Sequence, residues 1–213
     1  MTRIAHFDAE LTSIEIGDET IALWRVANLE QHVDREALLA GDDPPEPPYW
    51  AHLWTGAVVL AGAVPADAGR VLEVGCGLGL PGLVAARRGA RVTFVDRIAA
   101  PLAFVRASAV ANGLGPVDAC VADFAGDALR GPFDLILAAE VLYDRATLGT
   151  LPQALRRCLR PGGRILLTDA RRTDTAAFYA ALDAGGLPWR ATEHAVREEG
   201  LPVRVRLVEV ESP

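Results

Sequence analysis

Residues 71–82 read Val71-Leu72-Glu73-Val74-Gly75-Cys76-Gly77-Leu78-Gly79-Leu80-Pro81-Gly82. An apolar run with an acid near its end breaks into alternating glycines, and a stretch of small and apolar residues follows. The run reads as a buried strand, the later stretch as a helix, and the glycines as the turn between them. Without a Cβ, such a turn lets backbone N–H groups approach a ligand and takes positive φ values that other residues avoid. It delivers those groups at a helix N-terminus, in the crevice at the carboxyl ends of parallel strands. A nucleotide-like ligand is the first expectation.

Downstream, strand and helix patterns alternate. Residues 80–88 read as a helix and 91–95 as a strand ending at Asp96. Residues 101–112 form a helix stopped by Asn112-Gly113, and 117–121 a strand ending at Asp123. Residues 133–138 make a strand ending at Glu140. A helix over 148–159 precedes the turn Arg160-Pro161-Gly162-Gly163 and a strand over 164–168, followed by a helix over 174–184. Two last strands, 187–194 and 203–210, are joined by too little chain for a helical crossover, so they must be antiparallel. The pattern predicts an α/β fold: a doubly wound, Rossmann-like, seven-stranded sheet with one antiparallel strand at or near an edge.

Upstream, alternation around Gly17-Asp18-Glu19 predicts a β-hairpin over 11–26. A short helix over 28–41 ends at Gly41. Asp42-Asp43-Pro44-Pro45-Glu46-Pro47-Pro48 is too rich in proline for a helix or strand interior and reads as an extended lid or linker. Tyr49-Trp50-Ala51-His52-Leu53-Trp54-Thr55-Gly56 then leads into a helix; its aromatic rings either pack as an ordinary patch or wall a ligand. The chain divides at residue 48: residues 1–48 form an N-terminal hairpin and lid segment, and 49–213 the α/β domain.

Composition narrows the class. With 51% hydrophobic and 23% charged residues, the chain can bury a sizeable core as one domain with a small appendage. No apolar run nears the ~18 residues of a membrane-spanning helix. The first residues lack a signal-peptide pattern, so the cytoplasm is the expected location. Cys76, Cys120 and Cys158 are too few and too widely spaced for a disulfide framework or a zinc site, and no metal is expected. All 21 basic residues are arginine, against 28 acids, giving a formal net charge of −7. That field disfavours nucleic acid and would favour a basic partner, although plain solubility charge is the better account of it. No nucleophile elbow, P-loop or metal-ligand spacing is present, and a monomer is favoured.

Acids stand at or just after the ends of four strands: Glu73, Asp96, Asp123 and Glu140. Asp96 lies about 20 residues beyond the first glycine, where an acid accepts hydrogen bonds from ribose hydroxyls. Gly77-Leu78-Gly79-Leu80-Pro81-Gly82 also fits the dinucleotide pattern G-x-G-x-x-G, so NAD must be weighed. A pyrophosphate gains nothing from Glu73, whereas a ligand carrying an ammonium and a sulfonium does. S-adenosylmethionine is such a ligand, and a nicotinamide oxidoreductase would need a substrate domain for which the chain leaves little room.

Glu73-Val74-Gly75-Cys76-Gly77-Leu78-Gly79 resembles motif I of class I methyltransferases. Asp96 and Leu159-Arg160-Pro161-Gly162-Gly163 resemble later parts of the same fold, so the likeness covers roughly residues 50–170. A narrower likeness exists to the seven-strand protein lysine methyltransferases grouped as family 16, including the branch that methylates the electron-transfer flavoprotein β subunit. It is carried by residues 47–56, by Gly79-Leu80-Pro81-Gly82-Leu83 and by Glu140-Val141-Leu142-Tyr143. The resemblance implies that S-adenosyl-L-methionine is the cofactor. Its contacts would be Trp54, Glu73, Gly75, Cys76, Gly77, Gly79, Asp96, Arg97, Asp123, Phe124 and Ala139. Asp123-Phe124 matches only loosely an acidic-aromatic pair in which many members carry Trp. Glu140 and Tyr143 match the family's [D/E]-x-x-Y motif, implying that Glu140 orients an incoming ammonium and Tyr143 shapes its channel. The expected activity is N-methylation of a protein lysine, with a small-molecule amine as the alternative acceptor and a non-catalytic binding module as a third reading.

Overall fold

The computed structural model of the protein describes residues 2–33, 47–124, 129, 131–198 and 200–212. Strand β4 (Arg70–Val74) is apolar on both faces because it runs through the middle of a seven-stranded sheet; Val71, Leu72 and Val74 are buried. It pairs in parallel with β5 (Arg91–Asp96) and β7 (Phe133–Ala139). β6 (Asp118–Val121) lies outside β5, and β8 (Leu159–Asp169) lies beyond β7. β10 (Leu201–Glu211) is antiparallel to β8 and forms a hairpin with β9 (Trp189–Glu198). The order β6-β5-β4-β7-β8-β10-β9 places the single reversed strand one position in from the edge, as the last two strand patterns predict.

Helices cover the sheet: α1 (Thr55–Ala63), α2 (Leu80–Arg87), α3 (Ala99–Ala111), α4 (Leu151–Arg156) and α5 (Ala176–Ala184). One apolar cluster, around Phe94, Phe104, Leu80 and Leu83, unites the sheet with α1, α2 and α3. A second, around Ile136, Leu151, Leu155 and Phe178, fills the other face under α4 and α5. Among the described residues no helix is long and apolar enough to cross a membrane.

Three expectations change. The helix expected over 148–159 is only α4, and the Pro161-Gly162-Gly163 turn is not a free loop. Phe133 pairs with Leu159 and Leu135 with Arg164, so the turn bulges out of β8 itself. Ser212 holds that bulge, accepting from Gly162 N–H at 3.2 Å and donating to the Gly163 carbonyl at 2.9 Å. The N-terminal hairpin is a three-stranded antiparallel sheet, in which β1 (Thr2–Ile4) and β3 (Glu19–Val26) flank β2 (Phe7–Ile16). The helix expected over 28–41 is, where described, a 3-10 turn at Leu29–His32; residues 34–41 lie outside the described residues, as does the lid segment except Pro47 and Pro48.

The N-terminal sheet shares its core with α3. Ile21 and Leu23 are fully buried in the cluster that contains Phe104. The free edge of β3 would leave backbone groups unpaired, and side chains of α3 answer them. Asn112 Oδ1 accepts from Ala22 N–H at 3.0 Å while its Nδ2 donates to the Ala22 carbonyl, and Ser108 Oγ accepts from Trp24 N–H at 2.9 Å.

Candidate active site

At the carboxyl ends of the parallel strands lies a cavity of about 420 Å³. Residues Gly75–Leu80 form one wall, Asp96, Arg97 and Ile98 another, and Phe124 and residues 139–143 a third. Tyr49, Trp50, His52, Leu53 and Trp54 close the front, and Asp169 and Arg172 line the far end.

The glycine turn is held by β5 and by one bond of its own. Gly77 has φ +49° and a methyl group there would come within 2.9 Å of the Trp50 carbonyl, so the turn packs directly under the aromatic segment. Cys76 N–H donates to the Val95 carbonyl at 3.0 Å, Gly79 N–H to the Cys76 carbonyl at 2.7 Å, and Gly77 N–H to Asp96 Oδ2 at 3.0 Å. Those three amides are therefore engaged within the protein. Asp96 also accepts from Ile98 N–H at 3.0 Å, so one carboxyl ties the turn to the end of β5. Burial raises the Asp96 carboxyl above the usual carboxylate range, against the pull of the Ile98 and Gly77 amides.

Most of the expected cofactor residues meet here: Trp54, Gly75, Cys76, Gly77, Gly79, Asp96, Arg97, Phe124 and Ala139 all line the cavity, with Glu140 and Tyr143 beside them. Two do not. Asp123 is exposed, two residues past the end of edge strand β6, and is not part of the lining. Glu73 is 1% exposed and lies behind the turn, its Oε2 accepting from Gly82 N–H of α2 at 2.9 Å. Burial pushes Glu73 up to about 8, the Gly82 bond opposing and Asp96 adding to the rise. From this position Glu73 faces Gly82 and not the cavity, so the expected contact with a ligand ammonium is not made by its side chain in this structure. The cause is the central strand: every side chain from Val71 to Val74 points into a packed layer rather than out of the strand end.

Glu140 follows β7 at φ +55°, a conformation few non-glycine residues adopt. Its side chain is 9% exposed. Oε2 accepts from Ala170 N–H at 3.3 Å, whereas Oε1 has no hydrogen-bond partner and lies against Gly56 in the first turn of α1. Burial pushes this carboxyl up to about 7; Ala170 and Arg172 oppose the rise, and Asp169 and Glu198 add to it. Around it stand rings. Tyr49 and Trp54 lie 6.3 Å apart and His52 meets Trp54 edge-on at 4.5 Å, while the Trp54 indole donates to the Tyr49 carbonyl at 3.0 Å. Tyr143 is half exposed at the mouth.

Asp169, Arg172, Glu198, Thr55 and Gly56 were not anticipated. Asp169 ends β8 and obeys the same strand-end rule as Asp96, so that rule extended by one strand finds it. Its carboxyl accepts from Arg171 N–H at 2.7 Å and from Thr175 and Tyr179 hydroxyls at 3.0 Å. Thr55 and Gly56 follow Trp54 in the aromatic segment, whereas Arg172 and Glu198 carry no local signal and are brought here by the sheet order.

A family model described as "Methyltransferase domain" matches residues 71–163. N-methyltransferase NodS from Bradyrhizobium japonicum WM9, in complex with S-adenosyl-L-homocysteine, superposes with TM-score 0.59 at 20% identity, covering 87% of this chain and 96% of that one. The fold is that of the class I methyltransferases. A Thermus thermophilus 16S rRNA N2 G1207 methyltransferase, in complex with AdoMet and guanosine, aligns over 96% of this chain and 51% of its own, with TM-score 0.65 and 17% identity. Among curated relatives, a ubiquinone biosynthesis O-methyltransferase of Pseudomonas aeruginosa is 32% identical over 117 residues, which is 54% of this chain and 50% of the relative. The chain thus spans about half the length of the curated relatives it matches. These names range from N-methyltransferase to O-methyltransferase, so the methyltransferase fold leaves the acceptor of this chain open.

Proposed function

We propose that the chain is an S-adenosylmethionine-dependent N-methyltransferase whose acceptor is an amine, a protein lysine side chain first. When bound, S-adenosylmethionine supplies a methyl group made electrophilic by its sulfonium. The cradle suits it better than a dinucleotide. A pyrophosphate needs free backbone donors, and the amides of Cys76, Gly77 and Gly79 are already engaged. A ligand without phosphates needs instead the largely apolar cavity that the close-packed turn at Gly75, Gly77 and Gly79 borders.

The observation that carries the amine reading is Glu140. It is a buried carboxyl of the cavity lining whose Oε1 has no hydrogen-bond partner, and it shares that lining with Tyr49, His52, Trp54 and Tyr143. A carboxylate below aromatic faces attracts a cation or an N–H donor. Methyl transfer is an in-line displacement, so the chain's own work is alignment and exclusion of water. A lysine amine, with a reference pKa of ~10.4, reacts once its proton has gone to water, and Glu140 then orients the neutral nitrogen. The slender lysine stem fits a channel walled by rings. The acidic surface opposes a phosphate backbone, so nucleic acid is not part of the proposal.

A second reading, transfer to a small molecule, is favoured by the names of the curated relatives. Incubating the purified protein with isotope-labelled S-adenosylmethionine and a cell lysate, followed by mass spectrometry, separates the two. Label on lysine nitrogen in a protein band supports the first reading. Label on a small amine moves the acceptor, and label on oxygen alone overturns the amine assignment.

A further inference from the structure

Four separate segments converge on the far end of the cavity. Arg172, in the loop between β8 and α5, lies with its guanidinium 4.8 Å from the Trp54 ring centre. Its Nη2 donates to both oxygens of Glu198, at the end of β9, each at 2.9 Å. Glu198 Oε1 also accepts from Thr55 Oγ1 at 2.9 Å, tying the pair to the first turn of α1. From this fixed position Arg172 Nε stands 3.8 Å from Glu140 Oε2, too far for a hydrogen bond and close enough for a strong charge interaction.

We propose that Arg172 is a positioning residue for Glu140: clamped by Glu198, Thr55 and Trp54, it holds the Glu140 carboxyl against the head of α1 and favours its charged form. This rests on the amine reading of Glu140 given above. The surroundings of Glu140 make a fixed cation necessary. From β8 it faces Asp169 and from β9 Glu198, both acidic. From α1 it faces Gly56, which has no side chain, and from the preceding segment Trp54 and His52. Its own segment contributes Tyr143. Among the described residues Arg172 is the cation that acts on it from these elements, and without it burial first, and the two carboxylates after it, drive Glu140 towards the protonated acid. The clamp also explains why an arginine suits the place. Its Nη2 bonds both Glu198 oxygens while its planar face covers the indole and its Nε points towards Glu140, three directions that a single lysine ammonium does not serve at once.

The test is direct titration of Glu140 by carbon-13 NMR in protein labelled at glutamate carboxyls, the signal assigned by its loss in Glu140→Gln. The expected midpoint lies near 7 in the native chain. In Arg172→Ala it rises by about one pH unit or more, and in Arg172→Lys by less. S-adenosylhomocysteine binding by calorimetry is the folding check; if Arg172→Ala does not fold, Arg172→Lys carries the test through its smaller upward shift. A midpoint unchanged in the folded variants overturns the proposal. The labelled-lysate assay run on Glu140→Gln separates the two ideas. A shifted midpoint with that variant fully active supports the Arg172–Glu140 coupling and overturns the role of Glu140 toward the acceptor. An inactive Glu140→Gln with an unshifted midpoint does the reverse.

Discussion

At the scale of single residues, burial decides which acids act. Glu73 and Glu140 both end central strands and both are raised, yet one is walled in by α2 and the other faces the cavity. For Glu73 the native-state value, about 8, lies above the ordinary 4.5. The native state then holds a proton that the unfolded state has lost, so stability is greatest below the unfolded value and falls as pH rises towards 8. The loss is about 1.4 kcal/mol per pH unit inside that window. Glu73→Gln, which keeps an acceptor for Gly82 N–H, should flatten part of this slope. Thermal unfolding of both proteins from pH 5 to 8 measures it. At Gly56 two effects compete. Alanine improves helix propensity by about 0.8–1.0 kcal/mol, but its methyl overlaps Glu140 Oε1. Gly56→Ala must displace the Glu140 side chain, so turnover should drop by about tenfold or more while S-adenosylhomocysteine affinity is kept, the propensity gain being offset in thermal unfolding by the overpacking.

Among the elements, the join between β3 and α3 is the least obvious from local pattern. Asn112 read as a helix stop, and Gly113 beyond it does take φ +69°. Its amide, however, closes the open edge of the N-terminal sheet at Ala22. Asn112→Ala leaves both backbone groups of Ala22 unpaired, and a destabilisation of about 1–3 kcal/mol is expected. Urea denaturation checks the magnitude, and hydrogen exchange at Ala22 N–H locates it. The bulge in β8 was hidden for a related reason. Pro161-Gly162-Gly163 looks like any turn, and only pairing on both sides, with β7 and with the chain end at Ser212, makes it part of a strand.

For the whole molecule, the cavity joins the glycine turn to the N-terminal half through Trp50 and Trp54, so ligand binding should stabilise the fold as a unit. S-adenosylhomocysteine at about 100 times its Kd is expected to add about 2.7 kcal/mol and to raise the melting temperature, with NAD producing no shift. Differential scanning calorimetry with each ligand decides between the cradle assigned here and a dinucleotide site.

The sequence by itself determined the alternation of strands and helices, the reversed strand near the edge and the place of the glycine turn. Each rests on periodicity, on glycine conformation or on loop length, which are properties of neighbouring residues. It also pointed to Asp96 and Glu140, because a strand-end acid in a parallel sheet stands at the crevice. Only the tertiary structure decided which acids reach the cavity. Glu73 and Asp123 satisfy the same rule and do not, one because a central strand is packed on both faces, the other because an edge strand leaves its end in solvent. Arg172, Glu198 and Thr55 belong to the same group for the opposite reason. They lie far apart along the chain, and it is the order β7-β8-β10-β9 under the head of α1 that makes them neighbours of Glu140.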